Sequence, residues 1–185
     1  QWGRSAAEAE VYERQLTGER TVWENCHIAG GGNATGADNA GMRSLLITGG
    51  SGLGEHYFKN CAIGLDTVSR GAAASAEIGI TGGSPRNTFE DCLIYAHTDG
   101  SSARLVTVAT GGIDRMLRFK NCVFFDSIVG GGTAMAELLD VPAAAGGIVL
   151  LEKCTTLGGT AVETTNHGAV YISQETDTVA DALAV

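Results

Sequence analysis

Proline is almost missing from this chain, with 2 in 185 residues. Its scarcity removes the residue that most often interrupts a hydrogen-bonded ladder. Aromatic residues are also few, at 6%, which leaves little for a groove that stacks sugars or bases. Basic residues number 12 against 21 acidic ones, for a net charge of −9. That balance argues against a surface for nucleic acid or for an anionic membrane. The longest apolar run, VPAAAGGIVLL (141–151), contains a glycine pair and is too short to cross a bilayer. No basic-then-apolar leader is recognisable, and a chain that opens on Gln1 reads as a processed or trimmed piece.

What is present fits one domain with a real core. Apolar residues make up 44% of the chain and glycines number 27, enough for many turns. The five cysteines, Cys26, Cys61, Cys92, Cys122 and Cys154, are separated by 35, 31, 30 and 32 residues. Zinc sites bring cysteines in pairs roughly two to four residues apart, so neither a metal nor another cofactor is implied. The thiols read as buried small hydrophobes, kept free in a reducing compartment.

Each cysteine sits in a recurring string: WENCHI (23–28), YFKNCAI (57–63), FEDCLI (89–94), FKNCVF (119–124) and LEKCTT (151–156). Before four of them runs an aliphatic stretch that ends at a glycine pair: LLITGG (45–50), IGITGG (78–83), LVTVATGG (105–112) and LLDVPAAAGG (138–147). Alternating apolar positions and β-branched residues make these strands. A unit of about 31 residues with its string in constant register calls for coils wound in one direction and stacked in parallel. The expected fold is all-β, a single-chain parallel β-solenoid of about five coils.

Stacking assigns a role to every position of the string. Trp23, Phe58, Phe89 and Phe119, with Leu151 in the last copy, should point inward and stack on one another. Asn25, Asn60, Asp91 and Asn121 should sit at bends, because Asn and Asp tolerate left-handed backbone. The cysteine then restarts the next strand, facing inward. Lys153 breaks the Asn rule and Leu151 the aromatic rule, as terminal repeats do. Glu24, Lys59, Glu90, Lys120 and Glu152 should form an outward column of alternating sign, which favours the register. At the ends, residues 1–19 are expected to cap the coil, with a short helix over 5–16 (SAAEAEVYERQL) started by Ser5. The solenoid covers 20–160. Residues 161–185 supply a last strand (AVYIS) and a C-terminal arm.

The string F-x-[ND]-C-x-[IVF], once per coil over about residues 20–160, resembles the right-handed parallel β-helix of the pectin-lyase-like superfamily. Right-handedness is implied by that resemblance alone. The scaffold carries both polysaccharide-cleaving enzymes and virion proteins without activity.

Chemical motifs are thin. SLLITGGSGLG (44–54) is one residue short of the glycine pattern of short-chain dehydrogenases and leads into a strand instead of a helix. GGSGLGEH (49–56) and GGGNATGADN (30–39) lack the Asp of a calcium nonapeptide. His27, His56, His97 and His167 lie at different places in the repeat, and no cysteine differs from its four equivalents, so Cys–His catalysis is not indicated. The NTD, DD and GHG strings of polygalacturonases are missing. The carboxylates left for a glycosidase pair are Asp99, Asp114, Asp126 and Asp140, placed on loops.

The chain also resembles compact β-helix proteins of bacteriophage particles, in its short solenoid, free thiols, acidic balance and light C-terminal segment GAVYISQ…ADALAV. That resemblance implies a non-enzymatic capsid decoration (cement) or head-spike subunit, located in the virion and assembled in host cytoplasm. Its partners would be the major capsid protein and further copies of itself, a trimer being the habit of such parts. The alternatives are a polysaccharide lyase or hydrolase, as in a tailspike fragment, and an extracellular adhesin.

Overall fold

The corner residue of each string sets the geometry. In the computed structural model, Asn25, Asn60, Asp91, Asn121 and Lys153 hold φ between 51° and 55°, the left-handed region where Asn and Asp are least strained. The structure describes residues 14–16, 20–29, 42–48, 54–70, 75–82, 84–128, 132–162, 170–172 and 177–179.

Strands follow one another in triplets. The first is β1 (Arg14–Leu16), β2 (Arg20–Glu24) and β3 (His27–Ile28), and the second β4 (Leu45–Ile47), β5 (Glu55–Lys59) and β6 (Ala62–Arg70). The third is β7 (Ala76–Ile80), β8 (Ser84–Glu90) and β9 (Leu93–Thr98), and the fourth β10 (Arg104–Val108), β11 (Ile113–Lys120) and β12 (Val123–Ser127). The fifth is β13 (Leu139–Asp140), β14 (Ile148–Glu152) and β15 (Thr155–Leu157), followed by β16 (Val170–Ile172) and β17 (Asp177–Val179). First members stack as sheet A (β1-β4-β7-β10-β13), second members as sheet B (β2-β5-β8-β11-β14-β16), and third members as sheet C (β3-β6-β9-β12-β15-β17). Strand pairings are parallel throughout the described residues. The protein is an all-β parallel solenoid, and its described residues contain no helix.

The corner lies between sheets B and C, and the backbone ladder runs through it unbroken. Asn25 N–H donates to Lys59 O one coil on, Asn60 to Glu90 O, Asp91 to Lys120 O and Asn121 to Glu152 O. Side chains add their own ladder, with Asn60 Nδ2 donating to Asn25 Oδ1 at 2.6 Å and Asn121 Nδ2 to Asp91 Oδ1 at 3.1 Å.

Inside, the aromatic column closes. Phe58, Phe89 and Phe119 are fully buried, with centroids 4.6 and 4.9 Å apart along the stack, the spacing of neighbouring strands. Trp23 packs on Phe58 at 6.3 Å, and Leu151 fills the same slot in the last triplet. Cys61, Cys92, Cys122 and Cys154 are buried free thiols, while Cys26 at the end is half-buried. Each buried thiol lies against the aromatic carbonyl one coil earlier, as Cys122 Sγ does against Phe89 O at 3.4 Å, and against the carbonyl two residues back. A weak S–H donor of small size therefore suits a corner crowded with carbonyls.

The helix expected over 5–16 fails where the chain is described. Arg14–Leu16 is strand β1, paired with Leu45–Ile47 of β4. The free edge of β4 offers ladder hydrogen bonds that outweigh a weak helix propensity. Residues 5–13 lie outside the described residues. The expected last strand is β16, joined by an unforeseen β17, and the arm beyond Val179 lies outside the described residues.

The aromatic slot gives a direct contrast. Phe89→Ala should lower stability by about 3–5 kcal/mol, and Phe119→Leu, which copies Leu151, by less than about 1.5 kcal/mol. Equal losses in urea titrations would contradict the stacked column. Lys153 is the one corner residue poorly suited to its φ, so Lys153→Asn should raise stability by about 1 kcal/mol. A loss in the same titration would show that its side-chain contacts matter more than its backbone.

Candidate functional site

Outward positions of the solenoid recur at fixed offsets from the cysteine, and they give the sheets different surfaces. Sheet B is charged. Glu24, Lys59, Glu90, Lys120 and Glu152 stand in one register. The column is not the simple alternating chain of ion pairs that the signs suggest. Lys120 Nζ meets Glu90 Oε1 at 3.1 Å, but Glu152 pairs with Arg118 from the adjacent column. Glu90 also accepts from Tyr57 Oη at 2.7 Å. That bond first, then Lys120, holds the Glu90 carboxyl below its usual range, and the same bond raises the Tyr57 phenol to about 12. Lys59 forms no ion pair with either neighbour and adds only to the field around Glu90.

A second column on this face runs Arg20–Glu55–Arg86. Both guanidinium groups reach the one carboxylate, at 3.4 and 3.6 Å. Beside them, Val22, Tyr57 and Thr88 complete a shallow cleft of about 380 Å³. Two cations to one anion make this a locally positive spot on an acidic chain. Its residues fall six places before Cys26, Cys61 and Cys92. The repeat length alone could have grouped them, but sequence reasoning passed over them.

Sheet C is less charged. Its outward columns are His27–Ala62–Leu93–Val123–Thr155–Asp177 and Gly64–Tyr95–Phe125–Leu157–Val179. Gly64 holds φ at +127°, and a Cβ there would fall 1.8 Å from the Tyr95 carbonyl oxygen. Without a side chain at Gly64, His27 can stack on Tyr95 and share a 2.9 Å hydrogen bond with its hydroxyl across the coil between them.

Where sheet C turns into sheet A, the chain buries charge. Arg70 and Glu77 have no exposed side-chain surface and pair at 2.9 Å. Ser44 Oγ also donates to Glu77, and Arg70 reaches Met42 Sδ at 3.2 Å. Burial pushes the Glu77 carboxyl up, with Arg70 opposing. Two triplets on, Asp126 is buried too, accepting from Thr98 Oγ1 and from the Met135 N–H at 2.7 Å, and burial raises it as well. Arg104 and Glu137 form a similar, nearly buried pair at 2.9 Å.

The carboxylates weighed as a glycosidase pair do not share a face, and most are not on loops. Asp126 points into β12's buried side, Asp140 ends β13 in sheet A, Asp114 stands exposed near the start of β11, and only Asp99 lies in a turn. β12 extends past the string, so Asp126 continues its inward alternation. The histidines are also apart. His56 is interior, bonded to Thr21 Oγ1 at 2.8 Å through Nδ1, with Nε2 buried and unpartnered. Burial lowers its basicity. His97 donates to the Ser127 carbonyl, and His167 lies outside the described residues. Among the described residues, no three His, Cys, Asp or Glu side chains gather as a metal site. No protein-family model matches this chain, nor does any curated protein or solved structure.

The buried pair makes a sign-specific prediction. Glu77 is raised above its unfolded value, so its contribution favours the native state at low pH and is lost as pH rises through the folded value. Arg70→Met raises that value further. It should cost about 3–5 kcal/mol near neutral pH, and the deficit should shrink on acidification. Arg70→Met/Glu77→Leu should recover most of it. Thermal melts between about pH 8 and pH 5 would contradict this if the deficit grew as pH fell.

Proposed function

We propose that this chain is a non-enzymatic structural subunit of a virus particle, a bacteriophage capsid decoration or head-spike protein that binds and braces the coat lattice. The observation that supports it most is the commitment of polar groups to architecture. Glu77, Asp126, Glu90, Glu137 and Glu152 each hold a partner from the fold itself. A general acid or base needs instead a carboxyl left open to substrate and tuned toward working pH. Aromatic and thiol columns inside the coil, with amide pairs at its exposed corner, tie each turn to the next, which suits a brace. The acidic balance suits protein partners such as the major capsid protein and does not suit nucleic acid or an anionic membrane. On this reading the protein works in the virion after assembly in host cytoplasm. The resemblance to phage β-helix proteins in short solenoid, free thiols and acidic balance points the same way, while the repeated string itself speaks only for the fold.

One feature favours a second reading, a surface that binds or cleaves acidic glycans. The Arg20–Glu55–Arg86 cleft, with Tyr57 beside it, could take a carboxylated sugar.

A depolymerisation screen separates the two. The purified chain is incubated with pectin, alginate and bacterial capsule and O-antigen polysaccharides, and product length is read by chromatography. Intact polymers are expected, and flanking genes should encode portal and coat proteins. Cleavage of any polymer, lost in Arg86→Ala, would replace the structural reading with the glycan one.

A further inference from the structure

Ion pairs among the described residues follow a one-to-one rule with one exception. Arg70–Glu77, Arg104–Glu137, Arg118–Glu152 and Lys120–Glu90 each match one cation to one carboxylate at 3.1 Å or less. Glu55 is shared. Arg20 and Arg86 approach it only to 3.4 and 3.6 Å, beyond the usual N–H···O range of about 2.7–3.2 Å. Their side chains stay 82% and 54% exposed. The group is one carboxylate short, and both its cations are loosely held. Lys59 stands exposed two places beyond Tyr57 on the same strand. Across its three outward columns, sheet B sets five cations against four carboxylates, on a chain whose net charge is −9. The rest of the cleft is apolar or already bonded. Val22 is 68% exposed, Tyr57 Oη donates to Glu90, and Thr21 Oγ1 is held by His56 and Trp23. Among the lining side chains, that leaves the Thr88 hydroxyl for a ligand.

We propose that this cleft docks an acidic segment of a protein partner, an Asp or Glu side chain with an aliphatic side chain two places away. The carboxylate completes the Arg20–Glu55–Arg86 group, because a guanidinium has five donors in a fork and Glu55 occupies few of them. The aliphatic side chain covers Val22. Residues two apart in an extended peptide share a face, and Arg20 and Val22 stand two apart on β2. A carboxylated sugar brings the same anion but surrounds it with hydroxyls. Each of these needs a partner once water is displaced, and Thr88 cannot serve them all. Glu55 opposes the incoming carboxylate, so the site holds its partner weakly and releases it readily. The proposal rests on the structural reading above and names what the partner presents to the solenoid.

The test is an NMR titration of the isotope-labelled full chain with a capped octapeptide that carries one glutamate, a leucine two places on, and glycine and serine elsewhere. The Arg20 and Arg86 Nε–H signals and the Val22 methyls should shift together and saturate near about 1 mM peptide. The shifts should weaken as salt rises from about 50 to 500 mM, and the glutamine analogue of the peptide should leave the signals in place. Arg86→Gln should weaken binding about tenfold. Arg118→Gln is the control, since Arg118 has Glu152 to itself, and it should bind like the parent. Glu55→Gln should bind several-fold tighter, an outcome that loss of fold cannot imitate. No shift at about 10 mM peptide, equal shifts from the glutamine analogue, or weaker binding by Glu55→Gln overturns the proposal. So does a trimer of galacturonate that moves these signals where the peptide does not, which assigns the cleft to glycans. A silent peptide with polymers left intact in the depolymerisation screen removes the docking cleft alone, whereas cleavage of a polymer removes the structural reading with it.

Discussion

A parallel coil can stack on the next only if both bend at the same place, and here the bend is a single left-handed residue. A left-handed conformation costs an ordinary L-residue about 1–2 kcal/mol. Asn and Asp carry that cost most lightly, and four of the five corners use them. With the corner fixed, position along the neighbouring strands is fixed too. The aromatic two places before must point in, the charge one place before must point out, and the thiol one place after must point in. A one-residue slip would turn every side chain to the wrong face. The ladders of Phe58–Phe89–Phe119 and of Asn60 on Asn25 are consequences of that register as much as causes of it.

The same constraint explains why so much polar chemistry ends up inside. A narrow coil has few interior positions, and each turn offers the same ones. Where sheet C turns into sheet A, the chain lacks a repeating corner residue. The structure solves each turn separately, with Arg70 against Glu77 in one coil and Thr98 against Asp126 in a later one. A buried ion pair is a poor source of net stability, because desolvation consumes most of its attraction. It is, however, strongly selective for the one arrangement in which both charges are met. These irregular turns are thus specified by polar matching, and the regular corner by backbone preference.

Legibility in the sequence follows this division. The B-to-C corner, its flanking strands and its inner columns were readable because their spacing from the cysteine is constant. The Arg20–Glu55–Arg86 column was readable by the same rule and was missed only because those residues carry no motif. The Arg70–Glu77 pair could not be found that way. The segment between one cysteine and the next aliphatic strand varies in length, so residues there hold no fixed offset. Asp126 was misplaced on a loop because β12 runs beyond the string. Tyr57 entering the charge column was hidden as well, since a phenol two residues from Lys59 gives no sign that it reaches Glu90 in the next coil.

In a repeat this regular, folding explains the columns that stay constant and leaves the ones that do not. The inner positions keep their character from coil to coil because each must pack on its equivalents. Outward positions are free of that demand and would drift toward mixed polar residues if only solubility acted on them. Two sets do not drift. Sheet C keeps apolar side chains outward at Leu93, Val123, Phe125 and Leu157, and sheet B gathers two arginines on one glutamate in the first three coils only. The first set lies on three successive strands, β9, β12 and β15. The second is local to β2, β5 and β8, where two guanidinium groups share one carboxylate. A solenoid can give adjacent faces different chemistry in this way because each sheet draws its outward residues from its own offset in the repeat.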